Sequence, residues 1–212
     1  MRDIPFFTTQ NGVASLTLKE IPYRGEAYIR IQDAINPQSL LEECVEFCRC
    51  AGANRIYATG DACLERYPLH TEIWNMVRSR EGLGCTDAVM VPITLETSSQ
   101  FCELLNSRMQ GIANASYMSG SDVQTIISKG CGYFVFRGET LLGIGVASSD
   151  RLDALVAAFS GAGKDVLLAL NGKLVGDTIN VEVASQNQRA VRFYERLGFL
   201  RNLVISKWYQ II

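Results

Sequence analysis

A glycine-rich turn between two apolar segments is the first place where this sequence combines residue types that can do chemistry. The run SGAGKD at 160–165 opens a predicted helix that continues as VLLAL. Small side chains let a ligand approach the backbone closely, and the unpaired N–H groups at a helix start favour an anion such as phosphate. The turn is therefore either an anion-binding cradle or a plain strand-to-helix turn, in which glycine is also common.

Nucleotide chemistry of the P-loop type is excluded at this turn. A P-loop requires the pattern G-x-x-x-x-G-K-[ST]. Ala158 occupies the place of the first glycine, and Asp165 stands where Ser or Thr would bind magnesium. The turn is therefore not that of a nucleotide kinase or a GTPase.

A second candidate segment, EVASQNQRAVRFYERLGF at 182–199, reads as a strand end followed by a helix. Asn187 is a suitable N-cap, and Gly198 lies just past the predicted helix end. Between them, apolar and aromatic residues recur at helical spacing on one face. Taken alone, this pattern favours an ordinary amphipathic helix.

The hydrophobic pattern predicts the elements that must position these two segments. Residues 88–212 read as β-α-α-β-β-β-α-β-α-β, with the glycine turn before the third helix. The residues before them read as β-β-α-β-α, with the second helix over 69–79. The run EGLGCTD at 81–87 has two glycines and no periodicity, so we interpret it as a linker.

Together, the element order and the two segments resemble the GCN5-related N-acetyltransferase (GNAT) family over about 88–212. This resemblance implies the GNAT acyl-CoA N-acyltransferase fold, of the α/β (α+β) class, with a central mixed twisted sheet flanked by helices. It divides the chain into an N-acetyltransferase domain at 88–212 and a smaller, partial GNAT-like β-α-β-α lobe at 1–85 without a cofactor loop. The residues that match the C-terminal signature N-x-x-A-x-x-x-Y-E-x-L-G-F are Asn187, Ala190, Tyr194, Glu195, Leu197, Gly198 and Phe199.

The resemblance implies acetyl-CoA as co-substrate. Its pantetheine arm would run beside the strand at Val156 and Ala157 and contact Asn187, and the acceptor amine would enter the same gap between strands from the other side. Ala158 departs from the family pattern, which has Gln or Arg there. The backbone positions that would hold the pyrophosphate are Ser160, Gly161, Ala162, Gly163, Lys164 and Asp165.

The resemblance also implies that Tyr194 protonates the departing thiolate. A primary amine must lose a proton before it attacks a thioester, which calls for a base. Glu182, on the strand at the gap, is the first candidate, although a solvated strand residue or an ion pair also explains it. His70, the only histidine, is a further candidate with a suitable pKa, although a lone histidine near a helix start is more often structural.

The net charge and the cysteine content indicate which kinds of partner and which cellular compartment to expect. Twenty Lys and Arg against 22 Asp and Glu give a net charge of −2, so we expect no nucleic-acid partner. No apolar run approaches the length of a membrane span, we see no leader or metal-site pattern, and seven cysteines suggest a reducing, cytoplasmic setting. The apolar last strand, NLVISKWYQII, is a possible exposed edge and therefore a possible homodimer contact.

The function expected from these residues is transfer of an acetyl group from acetyl-CoA to a primary amine, on a small molecule or a peptide, by direct attack in a ternary complex. The alternative is a non-catalytic acyl-CoA-binding or regulatory module, which the change at Ala158 and the absence of an obvious base motivate. A third possibility is an interaction domain that kept the fold and lost the cofactor.

Overall fold

The computed structural model describes residues 2–212, which form two compact units. The first unit contains the described residues up to Ile73, together with Ala184–Gln186 and Val204–Ile212. The second contains Trp74–Val183 and Asn187–Leu203. This division falls inside three strands, whereas the sequence pattern placed a linker at 81–87.

The first unit is a mixed sheet with one long helix. Its strands β1 to β4 are neighbours in that order, antiparallel except for the parallel pair β3 and β4. Its elements, in chain order, are β1 (Ile4–Thr9), β2 (Gly12–Thr17), α1 (Ile21–Arg24), β3 (Glu26–Ala34), α2 (Pro37–Cys50), β4 (Arg55–Thr59), a 3-10 helix (Ala62–Arg66) and the start of β5 (Leu69–Ser79).

Helix α2 covers one face of this sheet. The Asn36 side chain accepts a hydrogen bond from the Ser39 N–H at 3.2 Å, so the predicted cap is confirmed. Leu40, Cys44 and Cys48 are fully buried against the strands. Burial raises the pKa of both cysteine thiols to about 12, which makes them inert core side chains rather than nucleophiles.

The second unit has a mixed sheet with helices on both faces, and its element order is the one predicted for 88–212. Its strands follow the order β5-β10-β9-β8-β7-β6, with β9 and β10 parallel. Its elements are β6 (Val89–Pro92), α3 (Ser98–Met109), α4 (Gly120–Lys129), β7 (Gly132–Arg137), β8 (Thr140–Ser148), β9 (Arg151–Ala157), α5 (Gly163–Asn171), β10 (Thr178–Ala184), α6 (Gln188–Arg196) and the start of β11 (Leu200–Gln210).

Alternating side chains give this sheet two apolar faces. Phe134 and Ile144 point to the side of α3 and α4, where Phe101 is fully buried. Val135 and Leu152 point to the side of α5, whose residues 166–170 are all buried. Helix α5 is therefore held along its whole length, which fixes the glycine turn at its start.

Two expectations from the sequence were wrong. Residues 69–79 form strand β5, not a helix, because the β-branched and aromatic side chains in this stretch favour a strand once it pairs within a sheet. The lobe therefore lacks the second helix of the β-α-β-α pattern. The last strand is not an edge either: β11 pairs with β4 through Tyr209 and Ala58 and lies between β4 and β5.

A search of residues 2–212 finds no helix of the length and apolar character that crossing a membrane requires.

Leu167 tests how strongly α5 depends on its buried face. This side chain is fully buried in the core of the second unit. We expect Leu167→Ala to lower the free energy of unfolding by about 2–5 kcal/mol, because it removes apolar contacts and leaves a cavity. Chemical denaturation measures the change. The exposed α4 substitution Gln124→Ala should stay within about 0.5 kcal/mol of the parent, and a similarly small loss for Leu167→Ala would contradict this packing.

Candidate active site

A cavity of about 450 Å³ opens in the second unit beside the glycine turn. Its walls come from the end of α3, the last residues of β9, the turn itself and one face of α6. The predicted residues that line it include Val156, Ala157, Gly161, Asn187 and Tyr194. The structure therefore brings the two candidate segments, whose first residues are more than twenty positions apart in the sequence, to one site.

The glycine turn leaves its backbone open to this cavity. Gly161 has φ +96°, a conformation that residues with a side chain rarely adopt. A Cβ atom at Gly161 would have no neighbour within 4 Å, so the space above the turn is free. A Cβ atom at Gly163 would lie 3.1 Å from the Phe193 ring, so this second glycine lets α5 approach α6 closely.

The amides at the start of α5 have no side-chain cap. Ala162 occupies the cap position and cannot accept a hydrogen bond through its side chain. Helices α2, α4 and α6, in contrast, are capped by Asn36, Ser119 and Asn187. The first N–H groups of α5 therefore remain available for an anion, at the end of the helix where its dipole is positive.

The sheet splits beside the turn. Strands β9 and β10 pair only at Arg151 with Asn180 and at Leu152 with Val181. Beyond these two pairs, β9 continues to Ala157 while its pairing with β8 is maintained to that same residue. The β10 side of β9 is therefore open from Asp153 onward, and this opening leads along the wall of the cavity.

Strand β9 presents backbone polar groups to this opening. Ala158 donates its N–H to the Leu142 carbonyl on β8 at 2.8 Å. Because alternate residues of a strand direct their N–H and C=O groups to opposite sides, Leu155 and Ala157 direct theirs toward β10. These groups need hydrogen-bond partners, and an extended ligand that carries amides would supply them.

The cavity is strongly cationic. Its lining contains Arg108, Lys164, Arg189 and Arg196, and among the residues that the structure describes it contains no Asp or Glu. The chain as a whole carries a net charge of −2, so this concentration of positive charge is local. An anionic ligand is therefore favoured at this site.

Tyr194 lies on the cavity-facing side of α6. Its ring contacts Phe193 and Phe199, each with ring centroids 5.2 Å apart. Burial raises the pKa of Tyr194 to about 12, because the charged phenolate would be poorly solvated there. At neutral pH the hydroxyl is therefore protonated and can act only as a proton donor.

Glu182 lies where β9 and β10 separate, one residue after the last paired position of β10. Its Oε1 accepts from Arg151 Nη1 at 2.8 Å, and the side chain is partly exposed. It is not among the residues that line the cavity. Glu182 therefore lies at the inner end of the opening. It forms an ion pair, which was one of the alternative explanations for this residue.

Three other predicted residues have structural partners. The Asn187 side chain accepts from the Ala190 N–H at 3.2 Å, which confirms it as the α6 cap. The Asp165 carboxylate pairs with Arg137 at 2.8 Å and accepts a hydrogen bond from Thr86. Its side chain is therefore engaged, and only its backbone N–H is left to bind an anion at the turn. His70 stacks on Tyr57 in the first unit, with the two ring centroids 4.1 Å apart. Burial lowers the pKa of His70 there.

Sequence analysis predicted Lys164 but missed the three arginines of the cavity. Arg189 and Arg196 lie inside the matched signature segment, at positions that the signature leaves free. Arg108 lies at the end of α3, about fifty residues before the glycine turn, and no local pattern points to it. Only the packing of α3 on the sheet brings this side chain to the cavity.

The first unit lacks each of these features at its corresponding strand-to-helix junction. Strands β3 and β4 pair over five positions, from Glu26 with Arg55 to Arg30 with Thr59, so no opening separates them. The helix that follows β3 begins with Pro37, which has no N–H, and is capped by Asn36. This junction therefore offers neither a gap nor an anion cradle.

Comparison with solved structures shows the fold. A GCN5-related N-acetyltransferase from Anabaena variabilis superposes with a TM-score of 0.62 at 11% identity, covering 94% of this chain and 59% of that chain. One from Sphaerobacter thermophilus gives 0.57 at 9% identity, covering 93% and 75%. A tandem GNAT protein from the clavulanic acid biosynthesis pathway gives 0.51 at 11% identity, covering 94% and 78%.

No family model matches the sequence, and no curated protein matches it. The structural likeness, at identities this low, concerns the fold alone. The chain therefore has the fold of GNAT acyl-CoA N-acyltransferases.

The burial of Tyr194 can be read from its titration. We expect the tyrosinate absorbance of the parent minus that of Tyr194→Phe to rise with a midpoint near pH 12. Because the folded protein holds this proton more tightly than the unfolded chain, whose tyrosine pKa is about 10, stability should fall between these two pH values. That fall should be smaller in Tyr194→Phe, and a midpoint near pH 10 would contradict the burial.

Proposed function

We propose that this protein is an N-acetyltransferase that transfers the acetyl group of acetyl-CoA to a primary amine. The observation that carries the proposal is the single cavity in which an uncapped helix start, an opening beside β9 and a buried, protonated Tyr194 occur together. The fold agrees with this chemistry, and the cavity would bind the donor through its phosphates, its amides and its thioester in turn.

The phosphates of acetyl-CoA would lie on the glycine turn. The backbone from Ser160 to Asp165 offers unpaired N–H groups, and Lys164 adds a positive charge beside them. The pantetheine arm contains amides, and it would continue the sheet beside Leu155 and Ala157 much as an added strand does. This placement directs the thioester along β9 toward the point where β9 and β10 meet.

The reaction would proceed by direct attack. The amine nitrogen bonds to the thioester carbonyl carbon, the C–S bond breaks, and the sulfur takes a proton from the Tyr194 hydroxyl. The departing thiolate belongs to a thiol with an ordinary pKa of about 8.5, whereas the Tyr194 phenol has a pKa near 12. Because the phenol is the weaker acid, it transfers its proton only as the C–S bond breaks and negative charge develops on the sulfur. We therefore assign Tyr194 a moderate share of the catalysis.

Glu182 is the proposed base for the amine proton. Its position at the junction of β9 and β10 is where the placement above brings the thioester. The ion pair with Arg151 holds the carboxylate, and a water molecule would have to relay the proton if the amine does not reach it directly.

Binding of acetyl-CoA tests the cradle. We expect calorimetric titration to show binding to the parent protein and at least tenfold weaker binding to Gly161→Asp, because the new carboxylate repels phosphate and strains a residue with φ +96°. Gly138→Asp is the matched control, since Gly138 also has a positive φ and open space but lies outside the cavity. Equal affinities for all three proteins would contradict the cradle.

Turnover tests the two catalytic assignments. With a panel of amines and thiol detection, we expect Tyr194→Phe to lower kcat by about tenfold to a hundredfold. Glu182→Gln should lower kcat by about a hundredfold, because it removes the proposed base. Tyr23→Phe, at an exposed tyrosine of the first unit, should leave kcat unchanged.

The same two experiments separate the proposal from its alternative. Acetyl-CoA binding that depends on Gly161, without turnover of any amine in a broad panel, would instead establish an acyl-CoA-binding module without catalysis. No binding at concentrations far above a micromolar dissociation constant would overturn both and leave an interaction domain as the remaining explanation.

A further inference from the structure

Arg108 connects a helix outside the glycine turn to the start of that turn. Its Nη2 donates to the Ala158 carbonyl at 2.5 Å, and its side chain lines the cavity. Arg108 lies in the last turn of α3, and Ala158 is the residue that follows β9. The guanidinium therefore lies between the end of the strand and the beginning of the cradle.

This guanidinium has N–H donors that its contact with Ala158 does not use. An arginine side chain carries five N–H donors in a planar fork that matches phosphate oxygens. Among residues 2–212, the Ala158 carbonyl is the acceptor found for it, and no carboxylate pairs with it. A partly exposed cation on a cavity wall without acidic residues, oriented by one backbone contact, is arranged to bind an anion.

The turn itself lacks a cation at this end. Ala158 contributes only a methyl group, and Lys164 lies at the opposite end, after the second glycine. Arg108 brings a positive charge from α3 to this end of the turn, because its Nη2 lies 2.5 Å from the Ala158 carbonyl oxygen.

We propose that Arg108 binds the pyrophosphate of the acyl-CoA and supplies, from α3, the positive charge that position 158 does not provide. This assignment rests on the proposed function. It makes α3 part of the donor site, although nothing in the local sequence of α3 indicates a ligand.

The first test is calorimetric titration of the full chain with acetyl-CoA. We expect Arg108→Ala to weaken binding about tenfold, and Arg108→Lys to weaken it less, since lysine keeps the charge but loses the fork. Arg192→Ala is the matched control: Arg192 is an exposed arginine on α6 outside the cavity lining, and its loss should change affinity less than twofold.

The second test locates the contact. Dephospho-CoA keeps the pyrophosphate and lacks the ribose phosphate, so the effect of Arg108→Ala should persist with its acetyl ester. S-acetylpantetheine lacks the pyrophosphate, so parent and Arg108→Ala should bind it equally. An equal loss with both truncated donors would contradict the assignment, because it would indicate a structural effect on the cavity.

Rescue provides the third test. If charge at this place is what matters, Ala158→Arg in the Arg108→Ala background should recover most of the lost affinity, whereas Ala158→Gln should recover less. Thermal unfolding of each variant without ligand checks that the fold is intact.

The outcomes are distinguishable from failure of the proposed function. If the parent does not bind acetyl-CoA, the proposed function fails. If the parent binds and Arg108→Ala behaves like Arg192→Ala, the proposed function stands and the role of Arg108 is overturned.

Discussion

The site depends on the loss of pairing between two parallel strands. Strands β9 and β10 stay together only as far as Leu152 and Val181, and β9 then continues to Ala157 with one side unpaired. An unpaired strand side within a sheet costs free energy unless a partner satisfies its polar groups. The fold therefore maintains an opening along β9 in which backbone N–H and C=O groups have no partner on the neighbouring strand.

Other features of the second unit lie beside this opening. Helix α5 begins directly after β9, and its buried residues 166–170 hold it rigidly against the sheet. Its first amides have no cap, and the cations around them have no acidic partner in the cavity lining. The second unit thus combines a strand side with unpaired polar groups and a cationic helix start, each supplied by an element that its core packing holds in place.

The first unit shows what the same kind of sheet does without these features. There β3 and β4 remain paired through five positions, and the helix start carries Asn36 and Pro37 instead of glycines. The face of the sheet away from α2 is filled by its own side chains, with Tyr28 donating to Glu26 at 2.7 Å and stacking on Tyr57. The two units therefore differ at a few junction residues, and in the second unit a gap between parallel strands and a helix start without a side-chain cap occur together.

Local patterns in the sequence were sufficient for most elements of the second unit. Helix caps such as Asn187 and the alternation of apolar side chains along β7 to β10 depend on residues that are close in the sequence. The sequence therefore shows them directly. Residues 69–79 were mistaken for a helix, because only pairing in a sheet decides their conformation. Arg108 was missed for the same reason: its approach to Ala158 depends on how α3 packs, which no motif encodes.

Hydrogen exchange of backbone amides, with and without acetyl-CoA, shows where in the chain the donor binds. We predict added protection in peptides that cover 155–165, where the unpaired groups of β9 and the amides of α5 lie, and none at the junction of β3 and α2 around residues 33–40. Protection at the second junction alone, or at neither, would contradict the claim that the opening beside β9 is the donor site.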